Sequence, residues 1–414
     1  MIHQDTVLRL HPLVFRDGDD SDDVVVGRPE LGEFVELPRV GAAAVRLLGD
    51  GLSVRAVEER IGREHDVDLD VEELAEALVE LSFAAAVGDT AVPDPAGDRP
   101  GSHLPWLRAA HVRWLFGRTA TAVWCVVALA AVATCLRRPD LVPAAADFYW
   151  TPYVGLAVLV GTVMFSANLS VHELMHLAAA RSYGAPARIG FSTRLHYLVV
   201  QTDVTAIWAV SRRERYRVYL AGLRWDSFVV SLCVLLAAYA ALPDLGVRLL
   251  GALAVTVLLS MIAQAQVYVR TDLYYVLMEW LRARNLYQDG IAYVRYLLRR
   301  RRGIDPLADL PVRERVGVRL YAVAMAFGCT VALTSFALFG LPILVQGIVG
   351  AFGGLVSGLG PGGNLLRALD SALVILVEGT LQALFVVTFV RRHRSRLVLK
   401  RGARALGHVG DAAP

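Results

Sequence analysis

Apolar runs long enough to cross a bilayer recur along the last three quarters of the chain, while the first ninety residues alternate short apolar and polar stretches. The long runs lie near 117–136, 152–180, 222–242, 247–269, 319–340 and 371–391. Each is close to the roughly 20 residues that a helix needs to span the hydrocarbon layer. The pattern predicts a mainly α protein, a polytopic membrane helix bundle of about six spans. Within the first ninety residues, VVVGRPELGEFVEL predicts a strand pair and AAAVRLLGDG a helix closed by Gly51. SVRAVEERIGREH then predicts a helix opened by Ser53, and VDLDVEELAEALVELSFAAAV an amphipathic helix running into an apolar strand. These elements read as a small winged-helix-like α+β module.

Charge separates the same two parts. Residues 1–100 hold 23 acidic and 9 basic side chains, net −14, and the remaining 314 residues carry +17. A module this acidic is a poor ligand for phosphate backbones, which excludes nucleic acid as its partner. Its first twenty residues lack the apolar core of a cleaved secretion signal, which predicts a cytoplasmic module. Residues 91–112, opening on the Pro-, Gly- and Asp-rich AVPDPAGDRPGSHLP, read as a linker, residues 113–400 as the membrane domain and 401–414 as a flexible tail. Arginines cluster at 212–217, 299–302 and 391–396, whereas 243–248 and 341–366 are nearly free of them, so the positive-inside rule puts both termini in the cytoplasm. The uncharged, glycine-rich segment 347–364 reads as a re-entrant or interfacial element. The four cysteines all sit in apolar runs without CxxC spacing and read as small core residues.

Against this background the segment VMFSANLSVHELMHLAAA, 163–180, places three ionisable side chains where burial makes them costly. His172, Glu173 and His176 form HExxH, and on a helix the two histidines stand one turn apart on one face. That spacing lets both imidazoles reach one zinc ion while Glu173 accepts a proton from the water it activates. The alternative, two histidines hydrogen-bonded inside a bundle, gives the three residues no common purpose. Catalytic zinc takes three protein ligands, so a third must come from elsewhere in the chain. His196 is the one other histidine between residues 112 and 392.

HELMH at the end of a span, followed about a hundred residues later by QAQVYVRTDLYYVL (264–277), resembles the site-2 protease family of intramembrane zinc metallopeptidases. The resemblance covers roughly residues 150–290. It implies Asp272 as third ligand, Glu173 as catalytic base and a bacterial inner-membrane location. The chain departs from the family pattern at Gln266-Val267, where Asn-Pro is usual, at Leu273, where Gly is usual, and at Gly222 to Asp226, where a G-P-x-x-N run ends in an amide. Asp226 therefore stays open as an alternative ligand or a substrate-orienting group. The extended stretch GFSTRLHYLVVQTD (190–203), carrying His196 and Asp203, matches the position where that family pairs substrate as a strand.

The N-terminal run VELPRVGAAAVRLLGDGLSVRAVEERI, followed by DVEELAEALVELSFAAAVG, resembles the PqqD-like recognition domains that bind leader peptides of ribosomally made natural products. Residues 1–90 would be that domain. Together the two resemblances imply a zinc metalloendopeptidase that removes a leader from a modified precursor peptide. A non-proteolytic peptide-binding membrane protein for export, immunity or sensing, and a protease of a transmembrane regulator such as an anti-sigma factor, are the alternatives.

Overall fold

The computed structural model describes residues 2–19, 22–97, 102–195, 197–301 and 303–407. It is mainly helical, with a small N-terminal α+β domain. Strands β1 (Leu8–Leu10), β2 (Val14–Asp17), β3 (Val24–Arg28) and β4 (Glu33–Leu37) precede helices α1 (Arg39–Gly49), α2 (Val54–His65) and α3 (Val71–Glu80). Strands β5 (Ala84–Val87) and β6 (Thr90–Ala91), a turn of helix α4 (Ala109–Val112), and helices α5 (Arg118–Arg137) and α6 (Val154–Ser182) follow. The hairpin β7 (Arg188–Arg194) and β8 (Tyr197–Asp203) leads to α7 (Arg212–Tyr219), α8 (Ala221–Tyr239), α9 (Asp244–Ala263), α10 (Asp272–Leu281) and α11 (Leu286–Leu298). The chain closes with α12 (Val312–Ser335), α13 (Leu341–Leu359) and α14 (Leu365–Gly407).

Contacts divide the chain into two compact units, one comprising Met1–Arg118, His176–Ile189 and Thr202–Val218, the other the remainder. The division falls within α6, which is one continuous helix.

In the first unit, β2, β3 and β4 form an antiparallel meander, and β1, β5 and β6 a second small sheet. The predicted strand pair is the β3–β4 hairpin, in register from Val24 opposite Leu37 to Arg28 opposite Glu33. The Ser53 hydroxyl accepts from Ala56 N–H at the start of α2, and Asp70 does the same for Glu73 at the start of α3, so the polar residues ahead of each apolar pattern cap as their types predict. The apolar faces of α1, α2 and α3 close on one core that includes Val45, Leu48, Val57, Ile61, Leu78 and Phe83, all buried. Arg215 of α7 is buried, stacks over the Trp208 ring at 4.8 Å, and donates to Asp19 at 2.8 Å. A basic segment and the acidic module thus meet through a shielded ion pair. The linker is anchored as well: the Ser102 hydroxyl donates to the Ala187 carbonyl at 2.8 Å, and Ile189 N–H donates to the His103 ring at 3.0 Å.

Among the described residues six helices are long and apolar enough to cross a membrane: α5, α6, α8, α9, the continuous stretch Val312–Leu359, and Leu365–Arg391 of α14. Large apolar side chains are exposed along them, Val126, Leu136, Phe327 and Ile343 among them, as suits contact with lipid. Polar clamps tie the spans together. Trp124 of α5 donates to the Ser227 hydroxyl of α8 at 2.9 Å, and Asp370 of α14 accepts from Leu156 N–H in the first turn of α6 at 2.9 Å.

The segment 347–364, read from sequence as re-entrant or interfacial, is helical up to Leu359, and that helix is continuous with α12 through a π-turn at Phe336–Gly340. At 1.5 Å per residue that stretch is about 72 Å long, over twice the hydrocarbon thickness. Gly354 and Gly358 act as a packing surface, while Gly360 caps the helix end and Gly362 lies beyond it at φ 73°. A methyl group at Gly354 or Gly358 would run into Ser371 or Ala368 of the antiparallel α14, so these positions let the two backbones approach closely.

Candidate metal centre

The centre starts from two buried turns of α6. His172 and His176 share a face, and Glu173 beside them is also buried. Asp272 opens α10, just past the end of α9. One ligand-capable atom each from His172, His176 and Asp272 lies within 4.8 Å of the others. His172 Nε2 and Asp272 Oδ2 are 3.1 Å apart. Two ligands about 2.0–2.1 Å from one tetrahedral zinc stand roughly 3.3 Å from each other, so this spacing fits convergence on one ion.

Both imidazoles are fixed through their other nitrogen. His176 Nδ1 lies 2.8 Å from the Val218 carbonyl oxygen. A carbonyl only accepts, so Nδ1 carries the proton and a neutral ring presents its lone pair at Nε2. His172 Nδ1 lies 2.8 Å from Asp226 Oδ2, which fixes the same tautomer. The other Asp226 oxygen accepts from the Asn168 amide at 2.8 Å, and the Asn168 oxygen accepts from the Trp225 indole at 3.0 Å. Asp226 is therefore spent on orienting the His172 ring, while Asp272 meets the Nε2 side of the same ring. Gly222, one turn before Asp226 on α8, lies under the imidazole: a methyl group there would overlap the His172 ring.

Asp272 owes its position to a broken helix. Between Ala263 and Asp272 the chain makes a 3-10 turn at Val267–Val269 and passes through a left-handed Arg270, φ 60°. Gln264 bridges the gap. Its side-chain oxygen accepts from Asp272 N–H at 3.0 Å and its carbonyl from the Thr271 hydroxyl at 2.6 Å. Stacking of Tyr219 on Tyr275, centroids 5.3 Å apart, steadies the first turn of α10.

Arg194, at the end of β7, reaches the same region. It donates to the Arg270 carbonyl and to the Gln201 side chain. Burial pulls its pKa below the usual arginine value, while the charges of Tyr275, Asp272 and Glu173 oppose that pull. Even so displaced, a guanidinium keeps its charge, so a shielded cation faces two carboxylates of the centre.

Of the other positions singled out by sequence, Asp203 lies exposed at the end of β8, where its carboxylate accepts from the backbone and hydroxyl of Thr205 and holds a turn. It is not among the residues gathered at the centre. His196 falls outside the described residues. Asn168, Trp225, Gln264 and Arg194 were not signalled by motif, although Asn168 stands one helical turn before His172 and so shares its face. The chain matches no family model, no curated protein and no solved structure.

Proposed function

We propose that this chain is an intramembrane zinc endopeptidase that cleaves a peptide delivered by its N-terminal domain. The observation that carries the reading is the convergence of His172, His176 and Asp272 beside a buried Glu173 within an apolar, span-length helix. Two neutral imidazoles with fixed tautomers and one carboxylate are a donor set suited to zinc that keeps a position open. Zinc held there supplies a water of lowered pKa and polarises a carbonyl.

The side chains then divide the remaining work. Glu173 accepts the proton as water attacks the scissile carbonyl and returns it to the departing amine. Arg194 offsets the negative charge that grows on the carbonyl oxygen, a task that Asp226, a carboxylate engaged with His172, is unable to perform. Asp226, Asn168 and Gln264 hold ligands in place without touching substrate.

The N-terminal domain acts in this proposal as a winged-helix-like, PqqD-like module for a leader peptide, and tethering it to the protease raises the local substrate concentration. The substrate is a precursor of a ribosomally synthesised, modified peptide, and the reaction is leader removal. Both termini lie in the cytoplasm of a bacterial inner membrane, a placement supported by the arginine-rich loops at 212–217 and 295–301. Co-expression with precursor peptides encoded nearby, read by mass spectrometry, tests the proposal. A leader-free product with the wild type and intact precursor with Glu173→Gln is the expected result. Equal processing by both would refute hydrolysis at this centre.

A further inference from the structure

The second unit contains a cavity of about 310 Å³ at the opposite ends of its spans. It is lined by the connection between α5 and α6 and by the facing portions of α8 and α9. On α9 the lining runs from Val247 to Ala254, whereas the metal centre is reached beyond that helix's far end, at Gln264 and Asp272.

Its chemistry is mixed in a particular way. Val234, Leu250 and Ala254 form an apolar wall. Trp150 also lines the cavity, and its indole N–H is buried with no acceptor among the described residues. A buried donor left unmatched is costly, so the site is built to receive an acceptor there. Arg248 stands beside it, its guanidinium 3.5 Å from the Trp150 carbonyl, at the limit of hydrogen bonding. Asp147 provides the opposite charge. It accepts from Ala144 N–H at 2.8 Å through one oxygen, and has no cationic partner among the described residues. Asp140, by contrast, is already paired with Arg138 at 3.1 Å. Asp147 sits against Gly251, three residues along α9 from Arg248, so the carboxylate and the guanidinium both border the same stretch of that helix.

We infer that this cavity binds the headgroup of a zwitterionic, primary-amine phospholipid. The phosphodiester meets Arg248 and the Trp150 indole, the ammonium meets Asp147, and an acyl chain follows the apolar wall. An anionic headgroup without an amine would leave Asp147 facing like charge, and a quaternary amine offers that carboxylate no N–H donor. Tryptophan at this level also suits the interfacial belt, where an apolar ring meets polar headgroups.

Native mass spectrometry of the full-length protein in detergent tests the inference, with phosphatidylethanolamine, phosphatidylglycerol and phosphatidylcholine of identical acyl chains. The wild type should retain phosphatidylethanolamine several-fold better than either competitor. Trp150→Phe, which removes the N–H and keeps an aromatic ring, should lower that retention about five-fold, the worth of one hydrogen bond near 1 kcal/mol. Arg248→Gln should weaken all three lipids, and Asp147→Asn should abolish the preference for ethanolamine over choline. Equal retention of phosphatidylglycerol, or retention unchanged in both Arg248→Gln and Asp147→Asn, would overturn the inference. Displacement of the lipid by free O-phosphoethanolamine at equal concentration would overturn its assignment to a lipid.

Discussion

Asp226 and His172, 54 positions apart, meet through a 2.8 Å contact between a carboxylate oxygen and Nδ1, deep enough that both side chains are almost fully covered. The contact faces away from the side of the ring that meets Asp272. This makes Asp226 a positioning residue. Asp226→Asn would present either an amide N–H to the protonated His172 Nδ1 or an amide N–H to the Asn168 amide, a donor facing a donor in both cases. Zinc affinity, measured by competition with a chromophoric chelator, should fall about 10- to 100-fold while one ion still binds at saturation. Complete loss of binding, as expected for His172→Ala, would instead make Asp226 a ligand.

Gly222 permits that arrangement because its missing side chain leaves room for the His172 imidazole. Gly222→Ala should push the ring off its site and deplete zinc in the purified protein. Helical content by circular dichroism should stay unchanged, since alanine favours helix more than glycine does. Full zinc occupancy in this variant would contradict the packing described.

Arg194 gives a kinetic signature distinct from that of a ligand. Arg194→Gln should lower kcat on a peptide substrate by about 10²- to 10³-fold, the cost of one lost oxyanion donor. KM and zinc content should change little, and Arg194→Lys should recover part of the rate. Loss of zinc together with activity would show that Arg194 merely holds the loop before Asp272.

The N-terminal domain carries its own pH dependence. The Arg28 guanidinium, 2.8 Å away, holds the Asp94 carboxyl down to about 2. Burial works to raise Asp19, but the hydrogen bond and charge of Arg215 outweigh it and leave that carboxyl below its usual value. Groups depressed in the folded state lend stability above their unfolded pKa, near 3.8, and that stability fades as pH falls toward the folded value. Pulsed digestion with an acid protease should therefore show this domain opening progressively between about pH 4 and pH 2. Asp94→Asn should flatten that dependence, and an unchanged profile would contradict the pairing.

Much of this was legible in the chain because its signals are local. HExxH reports its own geometry, since four residues make one helical turn, and Ser53 and Asp70 act as caps on the elements they precede. Asp272 was legible by resemblance, yet the loop that presents it depends on Gln264, whose side chain closes a contact eight residues away through an unwound segment. That Asp226 meets the Nδ1 side of the His172 ring and Asp272 the Nε2 side was unreadable, because nothing local in the sequence says which side of a ring a distant carboxylate reaches. The helix through 341–359 was hard to read because glycine weakens a lone helix and strengthens a close helix pair, and only the partner, α14, decides between the two.

The central claim is that His172, His176 and Asp272 hold one zinc ion. Zinc-edge X-ray absorption on the purified, full-length protein tests it most directly. The account predicts one zinc per chain, a first shell of nitrogen and oxygen near 2.0–2.1 Å with imidazole scattering and no sulfur, lost in His176→Ala and preserved in Glu173→Gln. A metal-free protein, a sulfur-containing shell, or a spectrum indifferent to His176→Ala would contradict it.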